Sequence, residues 1–120
     1  MPVTEEFCPI IAATDLLGQK WTLLIVHFLY TAHPHRLRFC ELQDQLGGLN
    51  PATLSGRLKL LETEGLAERI EVNSLLPHVE YGLTRKGSDL GPVVENLNAW
   101  GNKWLTPIKT KARKRASAIR

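Results

Sequence analysis

Three sets of side chains in this 120-residue sequence have types and spacings suited to chemistry. The first lies in the stretch from Asn50 to Thr63. If that stretch is helical, Leu54, Leu58 and Leu61 share one face, Ala52, Thr53, Gly56, Lys59 and Thr63 fall opposite, and Ser55 and Arg57 lie on the flanks. Small residues admit another surface at close range, and Thr, Ser and Lys hydrogen-bond to base edges or phosphates. Gly56 costs the helix about 1 kcal/mol relative to Ala. Its presence implies a reason, such as close approach of a nucleic acid or a neighbouring helix. The second set is cationic: Arg36 and Arg38 before a third helix, Arg57 and Lys59 on the fourth, and Arg85 and Lys86 at the start of the last. Cations clustered this way neutralise phosphates. The third set is Cys8, Cys40 and four histidines. Cys8 stands beside Pro9 just ahead of a helix, where helix amides favour the thiolate, so it is the thiol that stands out. Its alternative role is a small packed side chain. Cys40 reads as packed rather than reactive. His33, His35 and Cys40, with His27, match no standard structural zinc spacing, so no metal or cofactor is expected.

The elements that position these residues are legible as changes of period. Cys8-Pro9 opens a first helix carrying Ile11, Thr14 and Leu17, and Gly18 is suited to end it in a left-handed conformation. A second helix is predicted from about Gln19 to Tyr30, with Trp21, Leu24, Ile25 and Phe28 as its apolar stripe. Thr31 to Leu37, with Pro34 inside it, reads as a loop. Phe39, Leu42 and Leu46 mark a short third helix stopped by Gly47-Gly48. Asn50 is a strong N-cap, Pro51 suits the next position, and Gly65 is placed to end the fourth helix. The period then falls to about two over Leu66 to Val72 and Val79 to Leu83, joined as a hairpin through Asn73 to His78. Thr84 caps a last helix with Leu90, Val93, Val94, Leu97, Trp100 and Trp104 along one side. The order predicts a mainly α fold with a small antiparallel β-hairpin wing, a winged helix-turn-helix.

Composition bounds the function. The formal net charge is +3, but it is divided: residues 109–120 hold six cations and no acid, whereas the first 108 residues hold nine cations against twelve acids, a net −3. A folded domain over residues 1–106 followed by a basic tail over 107–120 is the expected organisation. Any nucleic-acid interface must therefore come from local clustering, with the tail as a non-specific contact or a solubility aid. No apolar run approaches the roughly 18 residues of a membrane span, so no membrane partner is expected. The N-terminus lacks a signal-peptide pattern and two cysteines make no disulfide framework, which points to the cytoplasm with reduced thiols. No nucleophile–base pair or carboxylate dyad stands out, and no enzyme is expected.

Several blocks occur together in one order: Cys8-Pro9, Leu17 to Ile25 (LGQKWTLLI), Arg38 to Leu42 (RFCEL), Leu54 to Leu58 (LSGRL), Leu61 to Leu66 (LETEGL), Val79 to Thr84 (VEYGLT) and Trp100-Gly101. In this combination the sequence resembles the HxlR-type transcriptional regulators, a winged-helix group related to the MarR-like proteins. The resemblance implies a homodimeric regulator whose fourth helix enters the DNA major groove, whose wing reaches toward the backbone, and whose first and last helices build the dimer. It also makes oxidant or electrophile sensing through Cys8 an expectation. Three departures stand out. The segment before Arg38 is long and holds His33-Pro34-His35, Cys40 replaces the more usual polar residue, and the wing from Asn73 to Val79 has no Lys or Arg, with His78 where the family often has Arg.

The expected DNA-facing residues are Arg36, Arg38, Asn50, Ala52, Thr53, Ser55, Gly56, Arg57, Lys59, His78, Arg85 and Lys86. The expected dimer surface is Ile11, Leu90, Val94, Leu97, Trp100 and Trp104, because two Trp on a terminal helix exceed what one small core absorbs. A two-fold dimer would present two reading helices to a pseudo-palindromic operator about one helical turn apart. The functional expectation is a sequence-specific DNA-binding repressor open to an oxidant or small-molecule effector. The alternative is a winged-helix protein-interaction module or antirepressor with no direct DNA readout.

Overall fold

The computed structural model describes residues 7–32 and 35–105. The expected tail, 107–120, lies outside them, as do His33 and Pro34. The elements run α1 (Pro9–Leu17), α2 (Thr22–Thr31), β1 (Arg36–Arg38), α3 (Phe39–Gln45), α4 (Pro51–Thr63), β2 (Ala67–Val72), β3 (His78–Leu83), α5 (Arg85–Ser88) and α6 (Gly91–Trp104). This is a winged helix-turn-helix, with the α3–α4 pair followed by the β2–β3 hairpin.

Local chemistry explains most boundaries. The Asn50 side chain accepts hydrogen bonds from the backbone N–H groups of Ala52, at 2.8 Å, and Thr53, at 3.4 Å, so the first turn of α4 is capped and Pro51 leaves no donor idle. Between α3 and α4 the chain reverses through Gly47 and Gly48, both at φ +79°, a left-handed pair that side-chain-bearing residues rarely adopt. The face of α4 that carries Leu54, Leu58 and Leu61 is buried, and these three meet Ile25, Val26 and Leu29 of α2, Leu42 of α3 and Leu66 before β2 in one core. Each fully buried leucine or isoleucine contributes roughly 1.5–3 kcal/mol, so α4 is fixed mainly by what it buries.

The structure corrects several sequence expectations. The loop over Thr31 to Leu37 ends in a strand: Arg36, Leu37 and Arg38 pair antiparallel with Gly82, Tyr81 and Glu80, making a three-stranded sheet in the order β1-β3-β2. Three residues are too few to show a period of two, but burial of Leu37 between two exposed arginines gives the strand its inward face. Gly18 is not left-handed (φ −77°), and Trp21 is instead, at φ +82°. That turn delays α2 to Thr22, and the buried stripe becomes Thr22, Ile25, Val26 and Leu29, with Leu24 exposed. The last helix is two helices. Thr84 caps only the short α5, its hydroxyl accepting from the Gly87 N–H at 3.1 Å, and α6 starts afresh at Gly91-Pro92. Close packing sets that break. A Cβ on Gly87 would run into the Leu66 carbonyl, and one on Gly91 into the Tyr30 ring.

No residue of α1 is buried in the described chain. The ends of the domain instead present Ile10 and Ile11 on α1 and Val93, Leu97, Trp100 and Trp104 on α6 to solvent.

Candidate nucleic-acid interface

The outward face of α4 matches the sequence expectation. Ala52, Ser55, Gly56 and Lys59 are exposed, Thr53 is half-buried, and Asn50 is exposed at the helix start. A Cβ added to Gly56 would meet nothing within 4 Å. The missing side chain therefore makes room for no neighbouring helix of the described chain, and the surface of α4 is open at this point. Arg57 is half-buried, and its Nε–H donates to the Lys20 carbonyl at 3.2 Å. It thus ties α4 to the α1–α2 turn, and the rest of the guanidinium remains available at the flank. Lys20 itself was not among the expected interface residues. Its ammonium lies 4.9 Å from the centre of the Trp21 ring, held by the quadrupole of that ring beside the turn to which Arg57 is bonded. The left-handed Trp21 that makes this turn carries no sequence signal.

A second group forms on the sheet. Directly opposed residues of an antiparallel ladder point to the same face. Leu37, Tyr81, Leu83 and Ala67 face the core, so Arg36, Arg38, Glu68, Ile70, His78, Glu80 and Gly82 share the outer face. Arg36 lies 3.7 Å from one Glu80 carboxylate oxygen, and His78 Nε2 lies 2.9 Å from the other. The structure therefore brings three expected residues, Arg36, Arg38 and His78, together around an acid, Glu80, that sequence reasoning did not single out. The His78 imidazole is held above its ordinary pKa, first by the Leu76 carbonyl and then by Glu80, against partial burial and the nearby Arg38 charge.

Arg85 and Lys86 form a third location at the start of α5. Arg85 is exposed, whereas the Lys86 ammonium donates to the Glu64 carbonyl at 2.7 Å, where it offsets the negative end of α4. Val94 is buried in the chain's own core and Leu90 is half-buried against it, so of the residues expected on the dimer surface one is interior and one is partly covered by the chain itself. Ile11, Leu97, Trp100 and Trp104 are all about half exposed or more, the last at 60%. Cys8 is half-buried at the N-cap of α1 and Cys40, expected to be packed, is exposed. Among the described residues no group of His, Cys, Asp and Glu is placed to hold a metal, and no helix is long and apolar enough to cross a membrane.

An N-capped second helix with a small polar outer face, joined through a glycine turn to the first and followed by a β-wing, defines a helix-turn-helix regulator of transcription. The HxlR-like helix-turn-helix family matches residues 16–109, and the chain belongs to that family. It is 43% identical over 89 residues to BH0655, an uncharacterised HTH-type transcriptional regulator of Halalkalibacterium halodurans, covering 74% of this chain and 77% of that one. Among solved structures, the reduced form of the transcriptional regulator YodB from Bacillus subtilis superposes with a TM-score of 0.71 at 32% identity, over 84% of this chain and 97% of that chain. The redox regulator HypR in its oxidised form gives 0.71 at 28% identity, over 80% and 96%.

Proposed function

We propose that this chain acts as a homodimeric, sequence-specific DNA-binding repressor. The observation that carries the reading is the outer face of α4: Ala52, Thr53, Ser55, Gly56 and Lys59, small or hydrogen-bonding, clear of every neighbouring element at Gly56 and fixed in place by the Asn50 cap and the Arg57–Lys20 bond. That face enters the major groove, with Arg36, Arg38 and Arg85 on flanking phosphates. Ile11, Leu97, Trp100 and Trp104 meet their copies across a two-fold axis, which sets two α4 helices against a pseudo-palindromic operator. Cys8 is the thiol through which oxidants or electrophiles act. Its half-burial at the start of α1 and the likeness to the redox regulator HypR support that part.

The test is genomic DNA selection with the purified protein, run reduced and after diamide treatment, in wild type and Cys8→Ser. Recovery of one inverted-repeat motif, with salt-dependent preference over random DNA, is the expected outcome. Wild-type binding should respond to diamide and Cys8→Ser binding should not. Recovery of no motif would favour the protein-interaction module, and an equal diamide response in both proteins would remove Cys8 from the mechanism.

A further inference from the structure

The wing holds one side chain whose two contacts are incompatible with its neutral form. His78 Nδ1 lies 2.8 Å from the Leu76 carbonyl oxygen, and its Nε2 lies 2.9 Å from a Glu80 carboxylate oxygen. A carbonyl and a carboxylate only accept hydrogen bonds, and a neutral imidazole has one N–H and one lone pair. The neutral ring therefore satisfies one contact and turns a lone pair toward an acceptor at the other. The imidazolium donates to both.

We propose that His78 is a proton-operated clasp on the wing. Protonated, it ties the 74–77 tip to Glu80 and leaves the outer face of the sheet with a net positive charge. Deprotonated, it gives up one of the two bonds, loosens the tip and returns that face to neutrality. The strand register sets this balance. Arg36 and Arg38 share the face with Glu68 and Glu80, two cations against two acids, so the His78 proton decides whether the face is positive or neutral.

The surroundings of His78 support the clasp from each packed element. On its own strand Glu80 faces it directly. From β1, Arg36 takes the other Glu80 oxygen at 3.7 Å, and Arg38, paired with Glu80 in the ladder, opposes the His78 charge. From β2, the apolar Val72 stands opposite, and the adjacent Glu71 points to the other face, where it pairs with Arg69 at 3.0 Å. The balance favours the charged ring, whose largest support is the Leu76 carbonyl. The tip has little else to hold it. Leu75 is fully exposed, Leu76 nearly so, and within the tip the Ser74 hydroxyl donates to the same Leu76 carbonyl at 3.0 Å. With its pKa raised on folding, His78 contributes stability in full below the unfolded value of about 6.5, and that contribution is lost as pH rises through the higher folded value. The segment 73–79 has no Lys or Arg, so this proton is the only positive charge the wing tip can gain. Its effect on DNA rests on the operator-binding reading proposed for α4.

The full-length protein is titrated by NMR between about pH 5.5 and 8.5, as wild type, Glu80→Gln and His78→Gln. The expected His78 midpoint lies above the ordinary imidazole value and moves down in Glu80→Gln. Backbone order at Leu75 and Leu76 should fall as pH rises through the same midpoint, and should be flat in His78→Gln. A midpoint at or below the ordinary value, a midpoint indifferent to Glu80→Gln, or tip order independent of pH would each overturn the clasp. In a parallel arm, affinity for the selected operator is measured across the same range. A severalfold tightening at acid pH that His78→Gln loses supports the charge effect, and equal pH dependence in the two proteins overturns it. The comparison cancels the other histidines. Absence of DNA binding at every pH, with the titration and tip responses intact, would sink the operator reading and leave the clasp standing.

Discussion

Asn50 has two roles assigned to it, one structural and one at the DNA surface, and substitution separates them. Its side-chain oxygen satisfies two backbone donors at the start of α4, at 2.8 and 3.4 Å. Asn50→Ala leaves both N–H groups to water at an exposed helix end. Loss of such a cap costs about 0.5–2 kcal/mol, typically ~1, and the first bond here is short while the second is marginal, which points to about 1 kcal/mol. For a domain of this size that is a fall of roughly 4–8 °C in Tm. Asn50→Asp keeps an acceptor at the same reach and places a negative charge at the positive end of α4, so its stability should equal or slightly exceed wild type. The two variants should behave in the opposite sense on DNA. Asn50→Ala should bind the operator with a modest loss, because α4 is still held by Leu54, Leu58 and Leu61. Asn50→Asp brings a carboxylate to the phosphate backbone and should lose binding far more severely. Urea unfolding at one fixed protomer concentration, which a dimer requires, and fluorescence anisotropy on the selected operator read the two effects. If Asn50→Asp is as unstable as Asn50→Ala, the cap is not what holds the helix start. If it binds DNA as wild type does, the start of α4 is not at the DNA.

Other substitutions test the packing and the partner surfaces. Gly87→Ala drives a Cβ into the Leu66 backbone carbonyl, which has no flexible end to yield, and should destabilise by about 1–3 kcal/mol in urea unfolding. Gly91→Ala meets the Tyr30 ring, and addition of Tyr30→Leu should recover part of its loss, whereas no side-chain change recovers Gly87→Ala. Trp100→Glu, at a position 57% exposed, should leave the circular dichroism of the folded chain unchanged. It should shift sedimentation toward monomer and weaken operator binding; a dimer that survives it would place the interface elsewhere. Removal of residues 107–120 should preserve the selected motif and flatten the salt dependence, by about 0.9 in the logarithmic slope for each phosphate that the tail neutralises. An unchanged slope would mean that the tail does not touch DNA.

What is legible in the sequence follows from how local each signal is. The start of α4 is readable because Asn-Pro acts within three residues, and its buried and open faces because Leu54, Leu58 and Leu61 recur at the helical period. The hairpin is readable because two runs of period two flank Pro77. By contrast β1 is a strand only because β3 lies beside it: Arg-Leu-Arg has no intrinsic pattern long enough to announce itself, and its partner is more than forty residues away. The split between α5 and α6 is set by the contacts of Gly87 with Leu66 and Gly91 with Tyr30, neither of which is local. The last helix reads correctly as apolar on one side, but its period does not divide that side between core and surface. Leu90 and Val94 turn into the core while Leu97 and Trp100 do not, because α6 leaves the body of the domain as it proceeds.

The same distinction governs the electrostatics. Six cations are expected from the sequence to form one ring, and the fold disposes of them unequally. Lys86 is bonded to the end of α4, Arg57 has one donor committed to the α1–α2 turn, and Arg36 is shared with Glu80. The first two ties commit a donor to a backbone carbonyl, and only the third sets the cation against an acid. Lys59 on α4 and Arg85 at the start of α5 are exposed, and the wing tip carries no Lys or Arg. On the proposed reading, phosphate attraction in the folded domain centres on α4, and the outer face of the sheet, with two cations against two acids, stands neutral until His78 is protonated. On that reading the domain takes its specificity from α4 and only a pH-dependent share of its affinity from the wing. Acidification should act on affinity alone: the selected motif should stay the same at about pH 6 and about pH 8 while the strength of binding changes, and a motif that changes with pH would show that the wing reads bases rather than charge.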